Sequence, residues 1–565
     1  MIFNFGTSHE YNNNTTGVFS NSLPLYANGT LGTTYAQTVW NRLRKPILTL
    51  DPFKPYYTHL GTLDERQYSL SNEFNIQIGE NTLTSISAWG EFVLHPRNSM
   101  GNQELEISDD HVNVWTDQYS QEFRLSSPKE QTLEWSVGLY GLYEKIFSYR
   151  ETIYGSDAAQ WYSASPSTDP ALMAGFRQHA DGKSTTFNIA GFGQATYHVD
   201  DQLALTLGLR DSYEVKEGSN FAWVEAGSAK YSLTQVYNAV KGASGTGYFD
   251  TGGQSVSRNM VTGMLNPSYK LDDNILLYGL VGRGEKAPAV NTSAQAIWSG
   301  TTFLGWQPLL TEAETSWDYE IGAKTNWLDG KLIATLNLYW NDIYNFQANM
   351  VNSSITDSTG QPIRQTYLGN VPHVRLRGVE GVGRWSPLER LWLTFNGAYT
   401  DARYVDFPNA PVPDDWNWGK TAPLYLSLSN TRFTNLPKWT FNIGADYSHP
   451  LGRIFSDFGP WADQPLTAFG YVNLAWSDKY QLTNPWSVFQ YWQPAYSIVN
   501  AGLGLRTADE RYSLQLWAKN LFDTRYIPAQ PTGGGWTAGT PTAPASYQLQ
   551  DHPRYFGGTL RVTLY

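Results

Sequence analysis

At 565 residues the chain has room for several soluble domains or for one very large barrel, and length alone favours neither. Cysteine is absent and the net charge is −12, which excludes a disulfide framework, thiolate metal sites, a cysteine nucleophile and the basic surface a nucleic-acid partner needs. Aromatics reach 15% while charged residues stay at 16%, and no apolar run of about 18 residues exists, so a helical membrane span is excluded and alternating strands remain open.

Met1-Ile2-Phe3-Asn4-Phe5-Gly6 lacks the basic start and long apolar stretch of a signal peptide and reads as the middle of a strand. Further on, Phe74, Ile76 and Ile78 lead into Gly79-Glu80-Asn81, and Leu83 to Phe92 returns. Phe123 and Leu125 lead to Ser127-Pro128-Lys129-Glu130, then Leu133, Trp135, Val137 and Leu139. Between Thr186 and Val199, Phe187, Ile189, Gly191, Gly193, Ala195 and Tyr197 share one face and Asn188, Gln194, Thr196 and His198 the other. Asp200-Asp201-Gln202 turns the chain, and Leu203, Leu205, Leu207 and Leu209 again share a face. A period of two over this length is a half-buried strand rather than a helix.

The same device recurs at Leu271-Asp272-Asp273-Asn274, at Asp329-Gly330, at Ser386-Pro387-Leu388-Glu389 and at Thr507-Ala508-Asp509-Glu510. Between hairpins lie long connections, roughly 11–66, 91–117, 150–183, 216–257, 284–313, 342–372, 402–436, 477–494 and 526–553. They are rich in Gly, Ser, Asn, Pro and Trp, and connections of this length are usually functional. One turn on the short side, about 448–466, is long for its place. The count is about 18 strands, all long connections lie at one end, and both chain ends lie at the other, as in a transmembrane antiparallel β-barrel. A propeller would repeat every ~40–50 residues with a blade motif, and none is found.

The apolar face is expected to meet lipid, with Trp89, Trp327, Tyr339, Trp392, Tyr399 and Trp517 as interfacial girdle residues. Glu73, Asn75, Gln77, Asn188, Gln194, Asp318, Glu320 and Lys324 are expected on the lumen face. A barrel this wide cannot be filled by its own side chains, so it is a channel or holds a plug.

Enzyme chemistry finds no foothold: no P-loop, H-E-x-x-H or G-x-S-x-G pattern occurs, paired carboxylates form no cleft pattern, and the nine histidines are scattered. Neither a cofactor nor a metal site is expected. Gly378-Val379-Glu380-Gly381-Val382-Gly383 sits in strand pattern, not before a helix. Of the acidic pairs Asp109-Asp110, Asp200-Asp201, Asp272-Asp273 and Asp414-Asp415, two are turn residues by position, and turn chemistry is the expected reading, with calcium at an outer loop as the alternative.

Toward the C-terminus, Ala518-Lys519-Asn520-Leu521-Phe522-Asp523-Thr524-Arg525-Tyr526 resembles the penultimate-strand signature of the TonB-dependent outer-membrane receptors. Asn520, Leu521, Phe522, Asp523 and Tyr526 carry that signature, and Pro553-Arg554-Tyr555-Phe556-Gly557-Gly558-Thr559-Leu560 resembles the start of the family's last strand. Tyr319-Glu320-Ile321-Gly322-Ala323-Lys324, Gly378-Val379-Glu380, Asn435-Leu436-Pro437-Lys438-Trp439 and Gln121-Glu122-Phe123-Arg124-Leu125 are similar to further strands. The resemblance implies a barrel of about 22 strands around an N-terminal plug. It also implies import of a scarce nutrient, energised by the TonB complex through a short box at the start of the plug. Residues 1–565 are then expected to be barrel throughout, truncated at the N-terminus by about four strands and without plug, box or signal peptide. Leu560, Val562 and Leu564 share a face while Tyr565 falls out of phase with the aromatic terminal signal that barrel assembly machinery reads.

The expected function is therefore active transport of a ferric siderophore across the outer membrane of a Gram-negative bacterium. Expected partners are outer-membrane lipid, the TonB complex, the siderophore and the barrel assembly machinery, with no nucleic acid. Loop aromatics are the candidate ligand contacts: Trp161, Tyr162, Trp298, Trp306, Trp416, Trp418 and Trp536, which suit catecholate rings and sugar rings alike. The alternatives are a passive porin-like channel, a receptor of the same family for a glycan or cobalamin, and a secreted carbohydrate-active or binding β-protein.

Overall fold

A computed structural model describes residues 2–563 except 12–16, 20–25, 30, 32, 47–60, 100–104, 164, 241–248, 300–301, 353–364, 417–421, 455–463, 489, 527–544 and 548–553. The meander begins with β1 (Ile2–Tyr11), β2 (Thr62–Ile78), β3 (Asn81–Ser99), β4 (Ser108–Ser126), β5 (Leu133–Tyr154) and β6 (Arg177–His198). It continues with β7 (Leu203–Glu225), β8 (Gln254–Asp272), β9 (Ile275–Lys286), β10 (Glu314–Trp327), β11 (Leu332–Asn352) and β12 (Gln365–Leu388). It ends with β13 (Leu391–Asp406), β14 (Trp439–Gly452), β15 (Leu466–Ser477), β16 (Tyr496–Thr507), β17 (Tyr512–Lys519) and β18 (Tyr555–Val562).

Each strand pairs antiparallel with the one before it, so the sheet is a pure up-and-down meander. The 19-stranded sheet consists of these strands and the two-residue Phe249–Asp250, which pairs with the upper part of β7. On the long-loop side, Gly17–Phe19 pairs with Ala545–Tyr547 and so joins the connection after β1 to the one before β18.

Turn chemistry explains the short side. Leu328, Asp329 and Gly330 all take positive φ between β10 and β11, a conformation that costs glycine nothing and that Asp tolerates. Asp200 Oδ1 accepts from the backbone N–H of Gln202 at 2.9 Å and Leu203 at 2.7 Å, and Asp272 Oδ1 accepts from Asn274 N–H at 2.8 Å. β14 ends at Gly452 and β15 starts at Leu466, so the connection on the short side that the sequence marks as long is long.

Several long connections are shorter than expected, two of them by more than half. β3 runs on to Ser99 and β4 resumes at Ser108, while β11 reaches Asn352 and β12 starts at Gln365. β12 has 24 residues, more than twice the ~9–11 a membrane crossing needs. Above the membrane a strand has water on its outer face, so the apolar alternation that marks it in the sequence stops while the hydrogen-bond ladder continues.

The register assigns faces. Phe187, Ile189, Leu207, Leu209, Leu265, Ile321, Leu336 and Leu338 are exposed on one face of successive strands, as lipid-facing side chains must be. Trp89, Trp327 and Tyr399 share that face. Tyr339, Trp392 and Trp517 do not. Tyr339 sits opposite Glu320. Trp392 sits opposite Asp446 and carries the Arg384 guanidinium 3.8 Å from its ring centre. Trp517 donates from Nε1 to Thr559 Oγ1 at 3.1 Å while its neighbour Leu516 is outward. A one-residue offset in phase reverses the face of a side chain, and aromatics near strand ends carry no mark of which side they take. On the lumen side Asn188 Nδ2 donates to Glu214 Oε2 at 2.9 Å, and Tyr278 O–H donates to Glu320.

Candidate functional site

The long connections fold over one end of the meander as a crown with its own small cores. Helix α1 (Tyr35–Leu43) starts at Thr34, whose hydroxyl accepts from Gln37 N–H while the Gln37 side chain accepts from Thr34 N–H. Helix α2 (Ala158–Ser163) and helix α3 (Leu233–Val240) follow in the connections after β5 and β7. Ala158, Ala159, Met173, Phe176 and Val236 pack with Tyr154 into one buried cluster, against which Tyr162 and Tyr231 lie.

Trp161 and Tyr162 belong to this interior rather than to an open surface. Trp161 is only 2% exposed; its carbonyl accepts from Arg42 Nη1 at 2.6 Å and its ring lies 5.2 Å from the Arg42 guanidinium. Tyr162 stands edge-on to Tyr154 at 6.0 Å, and burial pushes its hydroxyl well above the usual tyrosine range. Lys45 Nζ reaches Asp157 Oδ2 at 2.7 Å, and Asp157 also accepts from Glu106 N–H at 3.0 Å. Four connections are thereby locked together around α2.

A second part of the crown centres on Asp415. Its Oδ1 accepts from Ser487 Oγ at 2.9 Å, its Oδ2 from Val488 N–H at 2.8 Å and its carbonyl from Ala27 N–H at 2.8 Å. One buried residue therefore ties three connections, its carboxylate reaching the one after β15 and its main-chain carbonyl the one after β1. Trp416 donates from Nε1 to the Trp486 carbonyl, and Trp486 donates from Nε1 to the Ser427 carbonyl, both at 3.0 Å. The indole of Trp486 remains half exposed, as do Trp492 and Tyr425. Phe407, Leu426 and Leu428 anchor this region on Met350, Val371 and Val374 of β11 and β12.

Trp298 and Trp306 fall on a separate hairpin, Val290–Ser299 with Thr302–Leu310, opposite Phe303 and Ala296 respectively. Trp418, Trp536 and Tyr565 lie outside the described residues. Trp486, Trp492 and the anchoring role of Asp415 carry no mark in the sequence, and nothing in its spacing separates Trp486 from the other loop tryptophans. Among the acidic pairs, Asp110 is held by Arg150 at 2.7 Å and Thr152 at 2.5 Å, and Asp415 by the contacts above.

The run Asn520-Leu521-Phe522-Asp523 lies in the turn that ends β17, not in the strand. Asn520 and Asp523 both take positive φ. Asn520 Oδ1 accepts from Thr524 N–H at 2.8 Å, and its own N–H donates to Asn500 Oδ1 at 3.0 Å. Asp523 Oδ1 accepts from Arg554 N–H at 3.0 Å, and Tyr526 stacks on Tyr496 at 4.4 Å. The motif clamps the upper ends of β16, β17 and β18.

The sequence matches the family described as TonB dependent receptor-like, beta-barrel, over residues 3–521. The structure is similar to that of the ferric yersiniabactin uptake receptor FyuA from Yersinia pestis, with a TM-score of 0.62 at 16% identity, covering 90% of this chain and 62% of that one. It is similar to the ferric-catecholate import receptor Fiu from E. coli K12, with a TM-score of 0.57 at 14% identity, covering 99% and 72%. The siderophore receptor PiuA from Acinetobacter baumannii gives 0.56 at 14%, covering 99% and 71%. This chain thus spans about three-fifths of the length of the Yersinia receptor. These relatives are receptors rather than enzymes, and by the match across its meander the chain belongs to the family of TonB-dependent receptor β-barrels.

Proposed function

We propose that this chain is the recognising and membrane-spanning part of an outer-membrane receptor that imports a ferric siderophore in a Gram-negative bacterium. The observation that carries the reading is the family match over residues 3–521, on a barrel whose long connections build a packed crown at one end only. The named ligands of its structural neighbours, yersiniabactin, a catecholate chelate and pyoverdine, point the same way.

In this reading the ligand is captured at the crown. The half-exposed indoles of Trp486 and Trp492, in the region that Asp415 and Trp416 tie down, are the best-placed aromatic faces, and Trp298 and Trp306 are further candidates by their place in the long connection after β9. Trp161 and Tyr162 hold the crown's interior instead. The TonB complex supplies energy through a plug resting on the polar lumen wall, and the barrel assembly machinery inserts the strands among outer-membrane lipids.

The test is uptake of radiolabelled ferric chelates by cells whose own receptors are deleted and which express the full-length gene product. Accumulation that stops on collapse of the proton-motive force supports the reading. Uptake that persists without it, together with a steady open conductance in planar bilayers, would establish a passive channel. Transport of a glycan or cobalamin but no ferric chelate would move the ligand class and keep the family mechanism.

A further inference from the structure

Four arginines gather above the apolar belt on the outer face of β11–β13. In the ladder Trp340, Arg377 and Asp401 are successive partners, and Asp342, Arg375 and Arg403 form the next row up. Both rows alternate in phase with Leu336, Leu338 and Tyr399, so their side chains stand on the lipid side, not in the lumen. Arg432, from the connection after β13, joins them through a bridge with Arg403.

Two carboxylates organise the group. Asp401, almost wholly buried, accepts from Arg377, Arg403 and Arg432, each at 3.1 Å. Asp342 accepts from Arg375 Nε and Trp340 Nε1 at 2.8 Å and lies 2.7 Å from His373 Nε2. The Arg375 and Arg377 guanidiniums lie 4.5 and 5.2 Å from the centre of the Trp340 ring. The four arginines outnumber their carboxylates and leave a local positive excess in a chain of net charge −12. Among the described residues Arg375 and Arg403 hydrogen-bond through Nε alone, and both remain partly exposed, so their terminal N–H groups can face another anion.

Height decides which anion. Trp385 sits beside the short turn, and Arg375 lies roughly ten residues up the same strand, which at ~3.3 Å per residue and a tilt of ~40° is about 25 Å along the membrane normal. That is the thickness of an outer-membrane apolar belt. The cluster therefore faces the outer-leaflet headgroups, with an indole at the boundary where amphipathic rings settle. Arginine's planar fork suits phosphate oxygens better than a lysine point charge does.

We propose that Arg375, Arg377, Arg403 and Arg432, with Trp340 beneath them, bind the phosphate group of an outer-leaflet lipid on the outside wall of the barrel. The site rests on the membrane-barrel fold alone and is independent of what the crown captures.

The full-length protein, purified in a neutral detergent, is titrated with diphosphorylated lipid A, with its dephosphorylated form and with inorganic phosphate, and bound species are read by native mass spectrometry. The phosphorylated lipid is expected to bind about tenfold more tightly than the dephosphorylated one, the loss expected for charge-assisted bonds. A large excess of inorganic phosphate should not displace it. The R375Q/R377Q double variant should lose about tenfold in affinity. R384Q, which removes a lumen arginine, should lose nothing. Equal binding of the dephosphorylated lipid, displacement by inorganic phosphate, or equal loss in R384Q would each overturn the proposal. In R375Q alone Asp342 keeps Trp340 and His373, so this single variant reads the site if the double variant does not fold.

Discussion

In the wall, Phe187, Ile189, Leu207 and Leu209 of β6 and β7 point outward and stay half exposed; in the crown, Met173, Phe176 and Val236 of the adjoining connections are wholly buried. The wall leaves its apolar side chains for lipid to cover and keeps polar pairs such as Asn188 with Glu214 inside. The crown stands in water and must build cores of its own. Order in the wall therefore comes from the hydrogen-bond ladder, which the membrane makes obligatory, whereas order in the crown comes from packing. The two regions should fail separately and by different substitutions.

The largest effect is expected in the crown. Phe176→Ala empties a fully buried site and should cost about 3–5 kcal/mol of local stability. Limited proteolysis should then cut 155–176 and 226–240 while the barrel keeps its heat-dependent mobility on a gel. Loss of the barrel along with the crown would break the separation.

In the wall the sensitive change is charge, not volume. Leu207→Arg places a cation against lipid and should cost about 2–4 kcal/mol near the midplane, read by urea unfolding in bilayers. Gln194→Arg, on the lumen face of the paired strand, is expected to be close to neutral. Equal costs for the two would mean that the faces are wrongly assigned.

Asp415→Ala tests whether packing alone holds the crown. It removes two side-chain acceptor bonds at 2.9 and 2.8 Å, and hydrogen bonds to a charged group are worth about 1.5–3 kcal/mol. Amide exchange should quicken across 478–495 and leave α2 and its neighbours protected. Ligand affinity should fall with it if the indoles of Trp416 and Trp486 form the capture surface.

What could be read from the sequence follows the same division. The hairpins around Gly79, Asp200-Asp201, Asp272-Asp273 and Asp329-Gly330 were legible because lipid on one side and lumen on the other impose a period of two, and because turns demand particular residues. The same period does not say which face a terminal aromatic joins, and so Tyr339, Trp392 and Trp517 resist assignment without the register. Crown residues have no period at all. Trp161 looks like any loop tryptophan until Arg42, more than a hundred positions earlier, closes over it. Asp401 likewise reads as an ordinary strand residue until the register brings three arginines onto it.

The smallest expected effect separates packing from electrostatics inside the crown. Asp169, after β5, accepts from Tyr231 O–H at 2.8 Å and from the Lys230 ammonium, both in the connection after β7. The hydrogen bond from Lys230, then that from Tyr231, hold the Asp169 carboxyl down to about 2, and the same contact raises Lys230. A depressed carboxyl contributes its stability above its unfolded value, about 3.9, and loses it as pH falls through the folded one. The tether should therefore hold from neutral pH down past 4 and release only near 2. Both groups are exposed and solvent-screened, so the crown core, with Phe176 at its centre, should outlast the tether in acid. A carboxyl NMR titration of Asp169 gives the midpoint directly, and Lys230→Met should move it back toward the ordinary carboxylate range. An ordinary midpoint in the unaltered protein would show that the two connections are joined by the apolar cluster alone.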